Sequence, residues 1–298
     1  MKLIAVSGAD EEELLLTIHM ISFPNCKINL GLNIISRRQD GFHDIETVFY
    51  PIPFRDALEV VRTENEIDHF QFTSSGIKIN GAAEENLCIQ AYQLLKSKFP
   101  QLPSLKMHLH KAIPIGAGLG GGSADAAFTL KLVNQEFQLN LSTEKFIDYS
   151  LLLGSDIPFF IINKPCLATG RGEILQPVRL DLSEYKIVIV YPGIHINTAW
   201  AFSQLKVPDI YSVGDPSRTL NILEQPPGNW KDQLTNDFEP IVFKKYPEIK
   251  EIKKKLSMAG ASYCSMSGSG SSVYALFKKD ETISVDFPDA YLIKEFFL

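Results

Sequence analysis

Between Gly116 and Gly122 the chain reads GAGLGGG, five glycines in seven positions. No core can be built from such a run, because glycine has no side chain to bury and loses the most backbone freedom on folding. What the run offers is bare N–H groups able to curl around an anion. Upstream, Leu105, Met107 and Leu109 alternate with Lys106, His108 and His110, the pattern of a half-buried strand. Downstream, Ala124 to Phe137 reads as a helix. A strand therefore feeds a glycine loop that opens a helix. The orphan N–H donors and positive dipole end of that helix favour a phosphate.

Other glycine motifs compete for the segment. A Walker A loop needs a lysine after its last glycine, and none follows Gly121 or Gly122. Gly116, Gly118 and Gly121 do satisfy GxGxxG. That fingerprint should open the first βα turn of a parallel sheet, with an acid about 20 residues on. Here the run lies more than a hundred residues into the chain, Pro114 separates it from the strand, and Glu136 falls inside the helix. A dinucleotide loop and a ligand-free structural turn stay open as alternatives.

The 298 residues carry a net charge of −6, which argues against nucleic acid as a partner. No apolar run approaches the roughly 20 residues that cross a bilayer, so no membrane is expected. The acidic cluster Asp10–Glu13 interrupts any signal-peptide core. These features point to the cytoplasm. Cys26, Cys88, Cys166 and Cys264 are dispersed with no CxxC pair, so reduced thiols are expected. His108 and His110 share one strand face; solvated histidines are the plain reading, a metal site the alternative. No metal ligands are assigned. Residues 1–19 read as a dispensable extension ahead of Met20.

Strands are expected over 21–35, 45–50, 57–62, 70–78, 105–110 and 186–191, with late strands in SSVYALF and AYLIKEFF. Helices are expected over 86–99, 124–137, 142–153 and 246–258, the last closed by Gly260. The stretch 207–228, rich in Pro, Gly and Ser, reads as a loop with short helical turns. Strands and helices interleave without regular βαβ repeats, which indicates an α+β class dividing near residue 175.

Four further constellations carry chemistry-bearing residues. Lys27 and Asn29, two apart on an apolar strand, share a face; the plain reading is a lysine reaching water at a strand edge. Phe42 and His43 follow a turn, where such a pair is usually structural. Asp156, between apolar stretches, is either a helix cap or a functional carboxylate. Phe202 reads as a core aromatic of a helix.

The spacing P-x-x-x-G-L-G-x-x-S-A at Pro114–Ala124 resembles the phosphate loop of the GHMP kinases. The segments PNCKINLGL, DGFHDIET, LGSDIPFF, PGIHINTAWAF, NDFEP and SMSGSGSSVYALF resemble further motifs of that superfamily, in order, from about Phe23 to Phe277. The resemblance implies a two-lobed α+β fold with the active site in the cleft between lobes. Residues 20–175 would form the ATP-binding domain and 176–298 the substrate-binding domain. ATP, with Mg2+ bridging its phosphates, would lie on Pro114, Ile115, Gly116, Ala117, Gly118, Leu119, Gly120, Gly121, Gly122, Ser123 and Ala124, with Asn86 near the adenine. Lys27 and Asp156 would be catalytic. Asn29, Phe42, His43 and Phe202 would bind the substrate, the aromatics and histidine holding a cytidine. That last feature points to the branch that phosphorylates the 2-hydroxyl of a cytidine diphosphate-linked methylerythritol, in the non-mevalonate route to isoprenoid precursors.

One departure stands in the loop. Many members have GGGSSNAA where this chain has GGGSADAA, which sets Asp125 close to a triphosphate. Two other readings stay open: a kinase of another small alcohol, and a nucleotide-binding regulator without catalysis. Monomer and homodimer are equally compatible with the sequence.

Overall fold

The computed structural model describes residues 19–62, 70–205 and 216–298. Nearly all of the extension ahead of Met20 lies outside the described residues. The first half of the chain runs β1 (His19–Ser22), β2 (Asn25–Arg37), β3 (His43–Arg55), β4 (Ala57–Arg62), β5 (Gln71–Gly76), α1 (Leu87–Lys98), β6 (Leu105–Lys111), α2 (Gly121–Glu136), α3 (Thr143–Leu151) and α4 (Ile157–Ile162). The second half runs β7 (Cys166–Thr169), β8 (Ile174–Pro177), β9 (Tyr185–Tyr191), α5 (Thr198–Ser203), α6 (Pro216–Leu223), α7 (Glu239–Lys245), α8 (Pro247–Met258), β10 (Tyr263–Met266), β11 (Val273–Lys278) and β12 (Leu292–Phe297). The class is α+β, as the interleaving indicated.

These elements gather into two compact units, each assembled from three chain segments. The first takes the chain up to Asn25, Arg55–Ile113 and Gly121–Ile161; the second takes Cys26–Phe54, Pro114–Gly120 and Ile162–Leu298. In the first, one sheet has the order β1-β4-β6-β5, with only β5 parallel to its neighbour β6. Leu105, Met107, Leu109 and Lys111 of β6 are buried, and the residues between them are not. Helix α2 lies against β1 and β4 and packs on α1. Asn86 caps α1 by accepting from the Cys88 N–H at 2.9 Å, and Ser142 caps α3 through the Lys145 N–H.

The second unit holds two four-stranded sheets, β2-β3-β7-β8 and β10-β11-β9-β12. Strand β9 is a continuous apolar run, IVIV, because it lies inside its sheet with β11 on one side and β12 on the other. Ile249, Ile252 and Leu256 recur at helical spacing in α8 and join Val188, Val190, Ala275 and Phe277 in one cluster. Pro247 at the start of α8 costs nothing, since its missing N–H would have had no partner there.

Two expectations need correction. Strand β3 continues past Tyr50 through Pro51 and Pro53. Its ladder with β7 spans only Thr47–Phe49, so the prolines fall beyond that ladder. Helix α2 starts at Gly121 rather than Ala124, so two of the five glycines belong to its first turn. The short helical turns expected within 207–228 include α6, Pro216–Leu223, while residues 206–215 lie outside the described residues. All four cysteines are buried and unbridged. Among the described residues, no helix is long and apolar enough to cross a membrane.

Candidate active site

The glycine loop departs from β6 and turns through left-handed backbone at Gly116, Gly118 and Gly120, with φ of 65°, 78° and 69°. Alternation of this kind makes a concave nest of N–H groups that takes an anion. Its carbonyls point into the protein. Ala117 O accepts from the Ser272 N–H at 3.1 Å, Gly118 O from the Ser267 hydroxyl at 2.7 Å, and Leu119 O from the Lys27 N–H at 2.9 Å. Substitution is blocked by backbone as well as by φ: a Cβ on Gly118 would lie 2.0 Å from Ser267 O. A Cβ on Gly116 would meet the His195 ring at 2.4 Å. A loop closed to side chains and followed by a helix N-terminus suits an anion such as a phosphate group.

Lys27, expected beside Asn29, is buried with it in β2. Lys27 Nζ donates to Asn29 Oδ1, and Asn29 Nδ2 donates to Thr47 Oγ1 at 3.0 Å. The ammonium also stands 4.6 Å from the Phe49 ring centroid. Both ends of the Asn29 amide are thus engaged inside the unit, and its effect is to aim Lys27. The Asn29 main chain is fixed as well, its N–H donating to Ser267 and its carbonyl accepting from Tyr274. Ser267, which bonds both β2 and the glycine loop, escaped the sequence reading; its only signal was membership of the SGSGSS turn.

His43 and Phe202 come together as a stacked pair, centroids 4.6 Å apart and planes 17° from parallel. Phe238 braces the far side of Phe202 edge-on at 4.9 Å. Burial holds the His43 imidazole below its usual value, with Arg37 adding to the effect, so the ring is neutral at pH 7. Phe42 is exposed and lies under the Arg171 guanidinium, 4.9 Å from it, rather than in the stack. Asp156 is half-buried and directly precedes α4, whose Ile157–Ile161 stretch is buried. It belongs to the first unit, whereas Lys27 belongs to the second.

Asp125 belongs to the first unit. It is buried and accepts from Lys111 Nζ at 2.7 Å, and Asp56 binds the same ammonium. The tension with a triphosphate is thereby removed, and Asp125 is no candidate metal ligand. Burial pushes its carboxyl up to about 7, against the pull of Lys111 and with repulsion from Asp56. The native state therefore holds this proton more tightly than the unfolded chain. The stability it contributes is complete below the ordinary value of 3.8 and is lost as pH rises through about 7. Asp125→Asn abolishes that slope: the melting temperature of the parent, measured relative to the variant, should fall between pH 5 and pH 8. A difference constant across that range would refute the assignment.

His108 and His110 bond to Thr73 and Ser75 hydroxyls. Among the described residues, no group of three or more His, Cys, Asp or Glu could hold a metal ion.

Comparison with known proteins gives the family. Residues 86–164 match the GHMP kinases N terminal domain and 220–285 the GHMP kinases C terminal domain. The fold is also shared with a homoserine kinase from Cytophaga hutchinsonii, at TM-score 0.67 and 17% identity, covering 93% of this chain and 89% of that one. The class is thus a small-molecule kinase. Over 274 residues the chain is 50% identical to the 4-diphosphocytidyl-2-C-methyl-D-erythritol kinase of Bacteroides fragilis, covering 91% of this chain and 97% of that protein. It is 49% identical to the protein of that name from Cytophaga hutchinsonii, covering 88% and 94%. A crystal structure of 4-(cytidine 5'-diphospho)-2C-methyl-D-erythritol kinase superposes with TM-score 0.72 at 30% identity, over 86% of this chain and 90% of that one. The chain belongs to the 4-diphosphocytidyl-2-C-methyl-D-erythritol kinase family of GHMP kinases.

Proposed function

We propose that the chain transfers the γ-phosphoryl group of ATP to the 2-hydroxyl of 4-diphosphocytidyl-2-C-methyl-D-erythritol, a step toward isoprenoid precursors. The observation that carries this reading is 50% identity across 91% of the chain with a kinase of that name. The stacked His43 and Phe202 support it, since a flat apolar ring and a neutral imidazole suit a pyrimidine base.

In this mechanism the glycine nest and the first turn of α2 hold the nucleotide phosphates, with Asn86 near the adenine. Asp156 orients the acceptor hydroxyl and takes its proton as the oxygen bonds to the γ-phosphorus. The bridging oxygen leaves with ADP. Lys27, aimed by Asn29, offsets charge near the transferred group. A Mg2+ ion, if held there, would supply further charge neutralisation, with the Ser123 hydroxyl in the first turn of α2 as the side chain that would hold it. Positioning and electrostatic stabilisation of this kind are what phosphoryl transfer chiefly demands. Four buried reduced thiols support a cytoplasmic enzyme. As monomer or homodimer, it would need no further partner.

ADP release measured with the cytidyl alcohol, homoserine and mevalonate tests the reading: only the first should support turnover. Phe202→Ala should raise the KM of the cytidyl alcohol about tenfold, with kcat within about threefold. Equal activity on the other alcohols would sink the substrate assignment.

A further inference from the structure

A buried ion network joins the two ends of the phosphate loop. Asp56, between β3 and β4, accepts through Oδ1 from the N–H groups of Ala112 and Ile113 at 2.6 and 2.8 Å. These are the last residues before the loop. Its Oδ2 binds Lys111 Nζ, and the same ammonium reaches Asp125 Oδ2 in the first turn of α2, the first element after the loop. The side chains of Asp56, Lys111 and Asp125 are 0%, 3% and 4% exposed. Gly121 permits the closure, since a Cβ there would stand 2.9 Å from Lys111 Nζ and 2.8 Å from Ile113.

Stability alone is a poor reason for such a group. Buried ion pairs commonly do no better than well-packed apolar side chains of similar volume. This one is also incompletely satisfied: Asp125 Oδ1 is buried with no hydrogen-bond partner, a further cost. Directionality is what apolar packing could not supply. One carboxylate fixes two consecutive amides as the chain enters the loop, and one ammonium ties that carboxylate to the helix whose N–H groups complete the nest.

We propose that Asp56, Lys111 and Asp125 are positioning residues for nucleotide binding, setting the distance between the incoming strand end and the first turn of α2. The proposal rests on the reading of this loop as the ATP phosphate site, but not on the identity of the alcohol. The test uses the double variant Lys111→Met/Asp125→Leu, which replaces the pair by apolar side chains, with Asp125→Asn as the conservative control. Binding of ADP and of a non-hydrolysable ATP analogue is measured by calorimetry without acceptor. Amide exchange at 112–124 is followed without nucleotide, and the KM of ATP is compared with that of the cytidyl alcohol.

The double variant, which leaves Asp56 without its ammonium, should melt below the parent, and in its folded state should weaken both nucleotides at least about tenfold. Exchange at 112–113 and 121–124 should quicken, the alcohol KM should hold, and Asp125→Asn, which keeps an acceptor for Lys111, should weaken the nucleotides less than the double variant does. Unchanged nucleotide affinity in a folded double variant would overturn the proposal. So would a parallel rise in both KM values. If the double variant does not fold, Asp56→Asn carries the test, since it keeps the amide acceptor and weakens the tie to Lys111; unchanged nucleotide affinity there would equally overturn it. A parent that binds nucleotide but leaves the cytidyl alcohol untouched would refute the substrate assignment and leave this proposal standing.

Discussion

Asp156→Asn is expected to lower kcat by about 10²–10⁴-fold, the usual contribution of a positioned acid or base. The amide preserves size and can still hydrogen-bond the acceptor hydroxyl, but it cannot carry away the proton. Affinities for nucleotide and cytidyl alcohol should therefore stay within about threefold of the parent. The magnitude also separates two roles. In a loose, metaphosphate-like transition state the acceptor oxygen gains little negative charge early, and a group that merely orients it loses less on neutralisation. Single-turnover phosphoryl transfer, which excludes product release, is the measurement. Near-parental transfer would remove Asp156 from the mechanism.

Gly118→Ala should be the most damaging single-methyl change in the loop. Left-handed backbone at φ 78° costs a non-glycine residue about 1–2 kcal/mol by itself. The added carbon would also press on a main-chain oxygen, Ser267 O, at 2.0 Å, which cannot swing aside as a side chain could. Either Gly118 or the SGSGSS turn must move. Because Ser267 also bonds the Asn29 N–H, the displacement reaches the strand that carries Lys27. Nucleotide affinity should fall by roughly a hundredfold. Gly122→Ala is the matched control: its Cβ would meet only Leu87 at an ordinary 3.6 Å, and α2 accepts alanine readily. Equal effects of the two substitutions would show that loop composition, rather than the Gly118 contact, governs binding.

Much of this arrangement was legible in the sequence, for identifiable reasons. Strand β6 announced itself by strict alternation, α1 by the helical spacing of its apolar residues, and the loop by glycines with no other use. The neighbourhood of Lys27 and Asn29 followed from the two-residue strand period. Lys111 was equally legible and overlooked. It continues the buried face of Leu105, Met107 and Leu109 by one step, and a lysine on an apolar face requires a carboxylate. Its partners were another matter. Asp56 is 55 residues away in sequence and Asp125 is 14, and only the fold joins them. The burial of Asp125 was hidden for the same reason. Local pattern placed it in the first helical turn and could not say which face that turn would show to the sheet. The stacking of His43 on Phe202, 159 residues apart by their numbering, likewise needs the tertiary fold, as does the pairing of Phe42 with Arg171.

The four enclosed cysteines bear on how the enzyme can be handled and inhibited. Burial drives the Cys166 thiol up to about 11 and Cys264 to about 12, and raises Cys88 as well. Alkylating reagents attack the thiolate, and at neutral pH these three thiols offer them almost none, while Cys26 is fully enclosed. Electrophilic inhibitors designed around a native cysteine therefore have no foothold here. The same inertness lets a single cysteine introduced on the surface be labelled selectively, without first stripping the native thiols from the chain.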